Sequence, residues 1–323
     1  NFTAAGNASF AITGTAPAET GRLGVFGSAS GVYLDGNRHA GVLGFDAFGL
    51  NGGATGTVGP NAFEQAALTQ AGELTIGADL KLSEGFSFGI AVSNIRSSEL
   101  ATGVLQPQED TSRSVAIFMT YSDGGLFADG YAGTSDQRFG VERASGGDFA
   151  SVYSNAIGQA DGSQTFGGLR AGYAFELARG FEAGPVASLD YVRSDIGGYD
   201  ELGAGVFGLS VADRSFTSLG AKAGAMASFD IRTGERGAIK AFGSVAYARE
   251  LADTQDVVTA HFFGAADTPF TVVNQLDGQW VSINAGAEMQ LGANLSAAVS
   301  VTSDRGRGVL SNDQGQVSLS WRF

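Results

Sequence analysis

Two histidines, His39 and His261, and no cysteine bound the side-chain chemistry open to this 323-residue chain. Without thiols there is no disulfide framework, no thiolate zinc site and no cysteine nucleophile. Two imidazoles cannot build a multi-histidine metal centre. A serine–histidine–aspartate relay needs nucleophile, base and orienting carboxylate in one place. Serine and aspartate are abundant, but no spacing gathers them round either histidine, and both histidines read as loop residues. Gly203-Ala-Gly205-Val-Phe-Gly208 has the glycine spacing of a dinucleotide turn. Such a turn needs a buried strand before it and a helix after it. Neither flanks it, and among 50 glycines it reads as a loop. Asp256, Asp267 and Asp277, with Asp200 and Glu201, lack calcium-loop spacing and read as solvated loop charge. The expectation is a chain with no cofactor, no metal and no catalytic site of its own.

Charge narrows the partners. Lys+Arg is 19 and Asp+Glu is 33, for a net charge of -14. That balance excludes a nucleic-acid partner, which needs clustered basic groups to neutralise phosphate. With 43% hydrophobic and 16% charged residues, the chain is too apolar to be disordered. The charges of interest are isolated ones inside otherwise alternating stretches: Asp79, Lys81, Asp129, Arg170, Asp190, Lys222, Glu250, Glu288 and Arg322.

The elements that carry these residues have a period of two. Leu74, Ile76, Ala78 and Leu80 alternate with Thr75, Gly77, Asp79 and Lys81. Phe86, Phe88, Ile90 and Val92 do the same, as do Val115, Ile117, Met119 and Tyr121. The pattern runs on through Leu169 to Phe175, Ala187 to Tyr191, Val281 to Met289 and Val317 to Phe323. The second face is largely glycine, serine and alanine with a single charge per strand. A soluble sandwich would put lysine, glutamate and threonine there. Small polar residues suit a confined interior, as in a membrane barrel that is apolar outward and polar inward. A lipid-facing Lys or Arg at midplane costs about 2–4 kcal/mol, so the isolated charges are expected to point inward and line the pore.

No run of 18 apolar residues is present, so no transmembrane helix is expected. Residues 1–20 lack a basic segment and an apolar core, so they do not read as a signal peptide. The natural start is expected further upstream. Twelve strands are predicted, at about 21–35, 72–82, 85–98, 112–122, 125–138, 163–177, 181–196, 213–231, 237–252, 278–291, 294–304 and 314–323. Short connections alternate with long ones at 36–71, 99–111, 139–163, 197–213 and 253–278, as in an up-and-down barrel whose rims face different compartments. Asn61–Gln70 has helical composition. The fold class expected is all-β: a 12-stranded antiparallel transmembrane barrel over 21–323, preceded by a linker or pore segment at 1–20.

The chain ends Gln316-Val-Ser-Leu-Ser-Trp-Arg-Phe323. A terminal aromatic after alternating Val317, Leu319 and Trp321 resembles the assembly signal of bacterial outer-membrane proteins, a last strand offered for strand addition. Gly184-Pro-Val-Ala-Ser-Leu-Asp-Tyr-Val-Arg-Ser-Asp-Ile-Gly-Gly-Tyr-Asp-Glu-Leu-Gly-Ala-Gly205 resembles the strand–loop segment of the autotransporter β-domain, with its Leu-Asp-Tyr core and Gly-Tyr-x-Glu loop. Leu209–Asp213, Thr217–Gly224 and Tyr247-Ala-Arg-Glu-Leu251 are also similar to that family. The resemblance covers nearly all of 21–323. It implies an outer-membrane translocator of type V secretion in a Gram-negative bacterium. Its partners would be membrane lipid with lipopolysaccharide, the barrel assembly machinery and an N-terminal passenger such as a protease or esterase. A monomer is expected. Where the family often carries inward charge, this chain has Ser188, Ser244 and Ala246. The alternative function is a stand-alone porin-like diffusion channel; a rim hydrolase would depend on His39 or His261.

Overall fold

The computed structural model describes residues 23–37, 67–101, 108–145, 154–232, 238–252, 255–275, 278–292, 294–306 and 311–322. The strands follow chain order: β1 (Leu23–Asn37), β2 (Ala67–Lys81), β3 (Phe86–Ala101), β4 (Gln108–Asp123), β5 (Leu126–Ser145) and β6 (Ser154–Tyr173). Then come β7 (Phe175–Ala178), β8 (Phe181–Ile196), β9 (Tyr199–Asp200), β10 (Leu209–Val211), β11 (Arg214–Arg232) and β12 (Ala238–Glu250). The last are β13 (Gln255–Phe262), β14 (Phe270–Gln275), β15 (Gln279–Gln290), β16 (Leu295–Arg305) and β17 (Ser311–Arg322).

Twelve of these close on themselves: β1-β2-β3-β4-β5-β6-β8-β11-β12-β15-β16-β17, with β17 returning antiparallel to β1. β7 continues β6 against β8 after an interruption at Ala174. The interruption coincides with Pro185 on β8, which has no N–H to give the ladder. Closure leaves the barrel no open edge, so each of these twelve strands pairs on both sides.

The twelve expected strands are all present. Their ends at one rim are longer than expected: β5 runs to Ser145 and β6 begins at Ser154, so most of 139–163 is hairpin rather than loop. Ala67–Gln70 belongs to β2, correcting the helical reading there, because pairing with β1 and β3 overrides local composition. Asn61–Phe63 and the rest of that stretch lie outside the described residues, as do residues 1–20 and His39. The stretches 197–213 and 253–278 are not plain loops either. β9, β10, β13 and β14 form a four-stranded sheet at the same rim. It has its own apolar cluster of Leu209, Val211, Val258 and Ala260, with Tyr199, Phe270 and Val272 against it.

The opposite rim carries tight turns. Between β4 and β5, Gly124 and Gly125 have φ of 57° and 90°, the two positive values a two-residue hairpin of the favoured twist requires. The barrel is apolar outside: Ile76 is 52% exposed, Val92 53% and Val317 62%. Inside, Phe26, Ala91, Ala116, Phe118 and Phe166 form a buried cluster, with Tyr131 and Val192 packed on it.

The barrel interior as candidate functional site

Inward side chains come from the glycine- and serine-rich parity of each strand. Buried there are Thr75 and Asp79 on β2, Ser112 and Ser114 on β4, Gln164 on β6, Ser282 and Asn284 on β15, and Gln316, Ser318 and Ser320 on β17. Ser93 and Ser114 share a 2.6 Å hydrogen bond across β3 and β4. Asn284 Nδ2 donates to Thr302 Oγ1 at 2.8 Å, and Gln164 Nε2 donates to Ser194 Oγ at 3.1 Å.

The glycines of this face have a role that alternation alone does not reveal. Several leave room for an aromatic ring from the neighbouring strand. A Cβ on Gly77 would lie 2.4 Å from Phe26 Cζ, and one on Gly89 would lie 2.3 Å from Phe118 Cζ. Gly172 lies under Phe127, Gly168 under Tyr131 and Gly286 under Phe242 in the same way. The inner wall is therefore tiled with rings lying flat on glycine, an arrangement that fills space without a bulky inward projection.

Four of the sequence-picked charges form a band across adjacent strands. Arg170 on β6 is directly opposite Asp129 on β5. Arg170 Nε donates to Asp129 Oδ2 at 2.9 Å, the terminal guanidinium nitrogen contacts the same oxygen, and the guanidinium lies 5.5 Å from the Phe127 ring centre. Asp190 on β8 accepts from Tyr131 Oη at 3.1 Å and Ser188 Oγ at 3.3 Å. Lys222 on β11 is opposite Ser188. Mixed sign at this spacing satisfies the charges mutually and leaves a hydrated polar wall.

The others are spread along the wall. Asp79 is 3% exposed on the inner side of β2, and Lys81 is half-buried two residues nearer the short turns. Glu288 on β15 is opposite Lys240 on β12. Lys240 Nζ also reaches Glu182 Oε2 at 3.5 Å, and Ser228 Oγ donates to the same oxygen at 3.3 Å. Glu182 and Lys240 were not among the residues picked from sequence. Their parity, shared with Asp190 and Glu250, is the signal that would have found them. Glu250 ends β12 at the long-loop rim. It accepts Ser218 Oγ and Leu219 N at 2.7 Å, Ala252 N at 3.0 Å and Leu251 N at 3.2 Å. Arg322 pairs with Phe26 in the ladder; its side chain and Phe323 lie outside the described residues. Of the terminal pattern, Val317 and Leu319 face outward, and Trp321 lies over Gly27.

Of the loop carboxylates, Glu201 has a structural partner, while Asp277 and the side chain of Asp256 lie outside the described residues. Glu201 is 2% exposed, and its carboxylate accepts Leu209 N at 2.9 Å. Tyr199 covers Gly158, where a Cβ would meet its ring at 2.6 Å. Gly203 and Gly205 have φ of 92° and 56° around a short 3-10 turn, Gly205–Phe207, so the glycine-rich run is a loop. His261 sits half-buried on β13 opposite Ser210, not in a loop. Among the described residues no three His, Asp or Glu groups are placed to hold a metal.

A closed antiparallel barrel with an apolar exterior, a polar interior and rims of unequal length defines an outer-membrane β-barrel. The chain belongs to the autotransporter β-domain family, whose model matches residues 44–302. It is therefore an outer-membrane translocator barrel of a Gram-negative bacterium. Its fold is similar to the translocator domain of the autotransporter NalP from Neisseria meningitidis, with a TM-score of 0.63 and 15% identity over 96% of this chain and 91% of that one. It is also similar to the β domain of the Bordetella autotransporter BrkA (TM-score 0.57, 14% identity, 93% and 100% covered). A third likeness is the transport unit of the Escherichia coli autotransporter AIDA-I (TM-score 0.50, 13% identity, 93% and 90% covered). No curated protein matches the sequence.

Proposed function

We propose that the barrel anchors an N-terminal passenger and lets it cross to the cell surface, with residues 1–20 as the linker that occupies the pore and 21–323 as the translocator. The observation that carries this is the inner wall: mixed charges at Asp129, Arg170, Asp190 and Lys222 set among serines and flat rings, inside a barrel of this family. Inward atoms such as Gln164 Oε1, Asn284 Oδ1 and Ser282 Oγ are buried within this wall and bond no protein atom among the described residues. A 12-stranded barrel admits an extended chain or one helix but not a folded domain, so the passenger crosses unfolded. The pore-lining set is Asp79, Lys81, Asp129, Arg170, Asp190, Lys222, Glu250, Glu288 and Arg322, joined by Glu182 and Lys240.

Short turns then face the periplasm and long hairpins face outside. Val317, Leu319, Trp321 and Phe323 form the strand presented to the barrel assembly machinery. The barrel works as a monomer among outer-membrane lipid and lipopolysaccharide. The passenger is a protease or esterase, and the barrel itself does no chemistry. Single-channel conductance in a planar bilayer tests this reading. Deleting 1–20 is expected to convert a small, blocked conductance into a large one. An equally open channel in both forms would overturn the plugged-pore reading in favour of a diffusion channel.

A further inference from the structure

Lysine and arginine are scarce in this chain, yet the outward arginines of the barrel gather at one level. Arg96 (β3), Arg113 (β4), Arg138 (β5), Arg193 (β8), Arg249 (β12) and Arg305 (β16) are all exposed and share the parity of the lipid-facing residues. The register aligns them. Arg96 and Arg138 both oppose Thr111, two residues from Arg113. Arg249 opposes Gln279, and Arg305 opposes Val281, the next residue on the same face of β15. Each stands just beyond the apolar band, above outward residues such as Val92, Val115, Tyr191, Tyr247 and Val301. All lie toward the long-loop rim. Among the side chains described, no lysine or arginine faces outward from a strand anywhere below this belt.

We infer that this belt binds the phosphates of a phosphorylated glycolipid in the outer leaflet, the lipid A part of lipopolysaccharide. The inference rests on the proposed orientation, which puts the long-loop rim outside. Guanidinium forks match phosphate oxygens in pairs, and the cost of an outward charge falls toward zero at the interface. Outward carboxylates are present too. Asp161 accepts Arg138 Nε at 3.0 Å, Asp195 pairs with Arg193 at 3.2 Å, and the exposed Asp136 is directly opposite Arg113 in the β4–β5 ladder. Among the described side chains the belt keeps six arginines against these three carboxylates, within a chain whose net charge is -14. Arg96, Arg113 and Arg249 make no ion pair among the described residues, and with Arg305 they are the positions to change.

The test uses the full chain, refolded in nonionic detergent and titrated with fluorescent diphosphoryl lipid A. Arg96→Gln, Arg113→Gln, Arg249→Gln and Arg305→Gln, made singly and together, are expected to weaken binding about fivefold per arginine removed. Lipid A stripped of its phosphates should bind the native chain weakly. That comparison needs no variant, so a misfolding substitution does not rescue the proposal. Equal binding of the dephosphorylated lipid, or unchanged binding by the combined variant, would overturn it. Equal affinity for phosphatidylglycerol would overturn the glycolipid assignment. Phosphate-dependent binding by a barrel that fails to display a passenger would sink the export reading and leave the belt standing.

Discussion

At the scale of single residues, the inner wall depends on two kinds of contact. The first is charge pairing among partly buried side chains. Arg170→Ala leaves Asp129 without its partner, and Asp129→Ala strands the guanidinium. Each is expected to lower stability by about 2 kcal/mol, and the double variant to cost less than the two added together. Urea unfolding in detergent, followed by tryptophan fluorescence, measures both; strict additivity would mean the pair is not coupled. The second contact is ring on glycine. Gly77→Val would put a branched side chain into the Phe26 ring and against the Ile90 carbonyl, 2.8 Å from the added Cβ. A cost of about 1–3 kcal/mol is expected, with a lower folded fraction by heat-shifted gel mobility. No shift in mobility or stability would show that the ring moves aside freely.

At the scale of elements, two carboxylates hold the long-loop rim in shape. Glu250 gathers three backbone N–H groups and a hydroxyl where β12 ends. Glu201 joins the small sheet to itself through Leu209, while the neighbouring Leu202 pairs with Ile157 on β6. Glu250→Ala and Glu201→Ala are each expected to loosen β9, β10, β13 and β14 while the barrel stays closed. Limited proteolysis reads this directly: cuts should appear in 197–213 and 253–278, with the membrane-spanning strands still protected. Proteolysis no faster than in the native chain would show that the apolar cluster around Leu209 and Val258 holds the sheet unaided.

At the scale of the whole molecule, the expected conductance change on deleting 1–20 tests whether the pore is filled by its own linker. What could be read beforehand follows from where each piece of information resides. The period-two alternation is local, so all twelve strands and the outward or inward parity of Asp79, Asp129, Arg170, Asp190 and Glu288 were legible from the chain. Pairing is not local. Arg170 finds Asp129 41 residues away, and Lys240 finds Glu182 58 residues away. Composition misled at Ala67–Gln70, where a helix-compatible run is drawn into β2 by two paired neighbours. It also misled at the rim, where loop-like stretches meet only in space and become a sheet. The family resemblance singled out the Gly-Tyr-x-Glu segment as a loop, whereas Tyr199–Asp200 forms β9 of the rim sheet. Tyr199 and Glu201 act on residues that only the fold brings near.

By itself the sequence determined the architecture and the two chemistries of its faces, because a strand's side chains must alternate and lipid penalises an outward charge. Only the tertiary structure decided which charges meet, which glycines carry a ring and that the outward arginines fall at one level. Those depend on barrel register, which is set by closure of all twelve strands at once and is written in no single one of them.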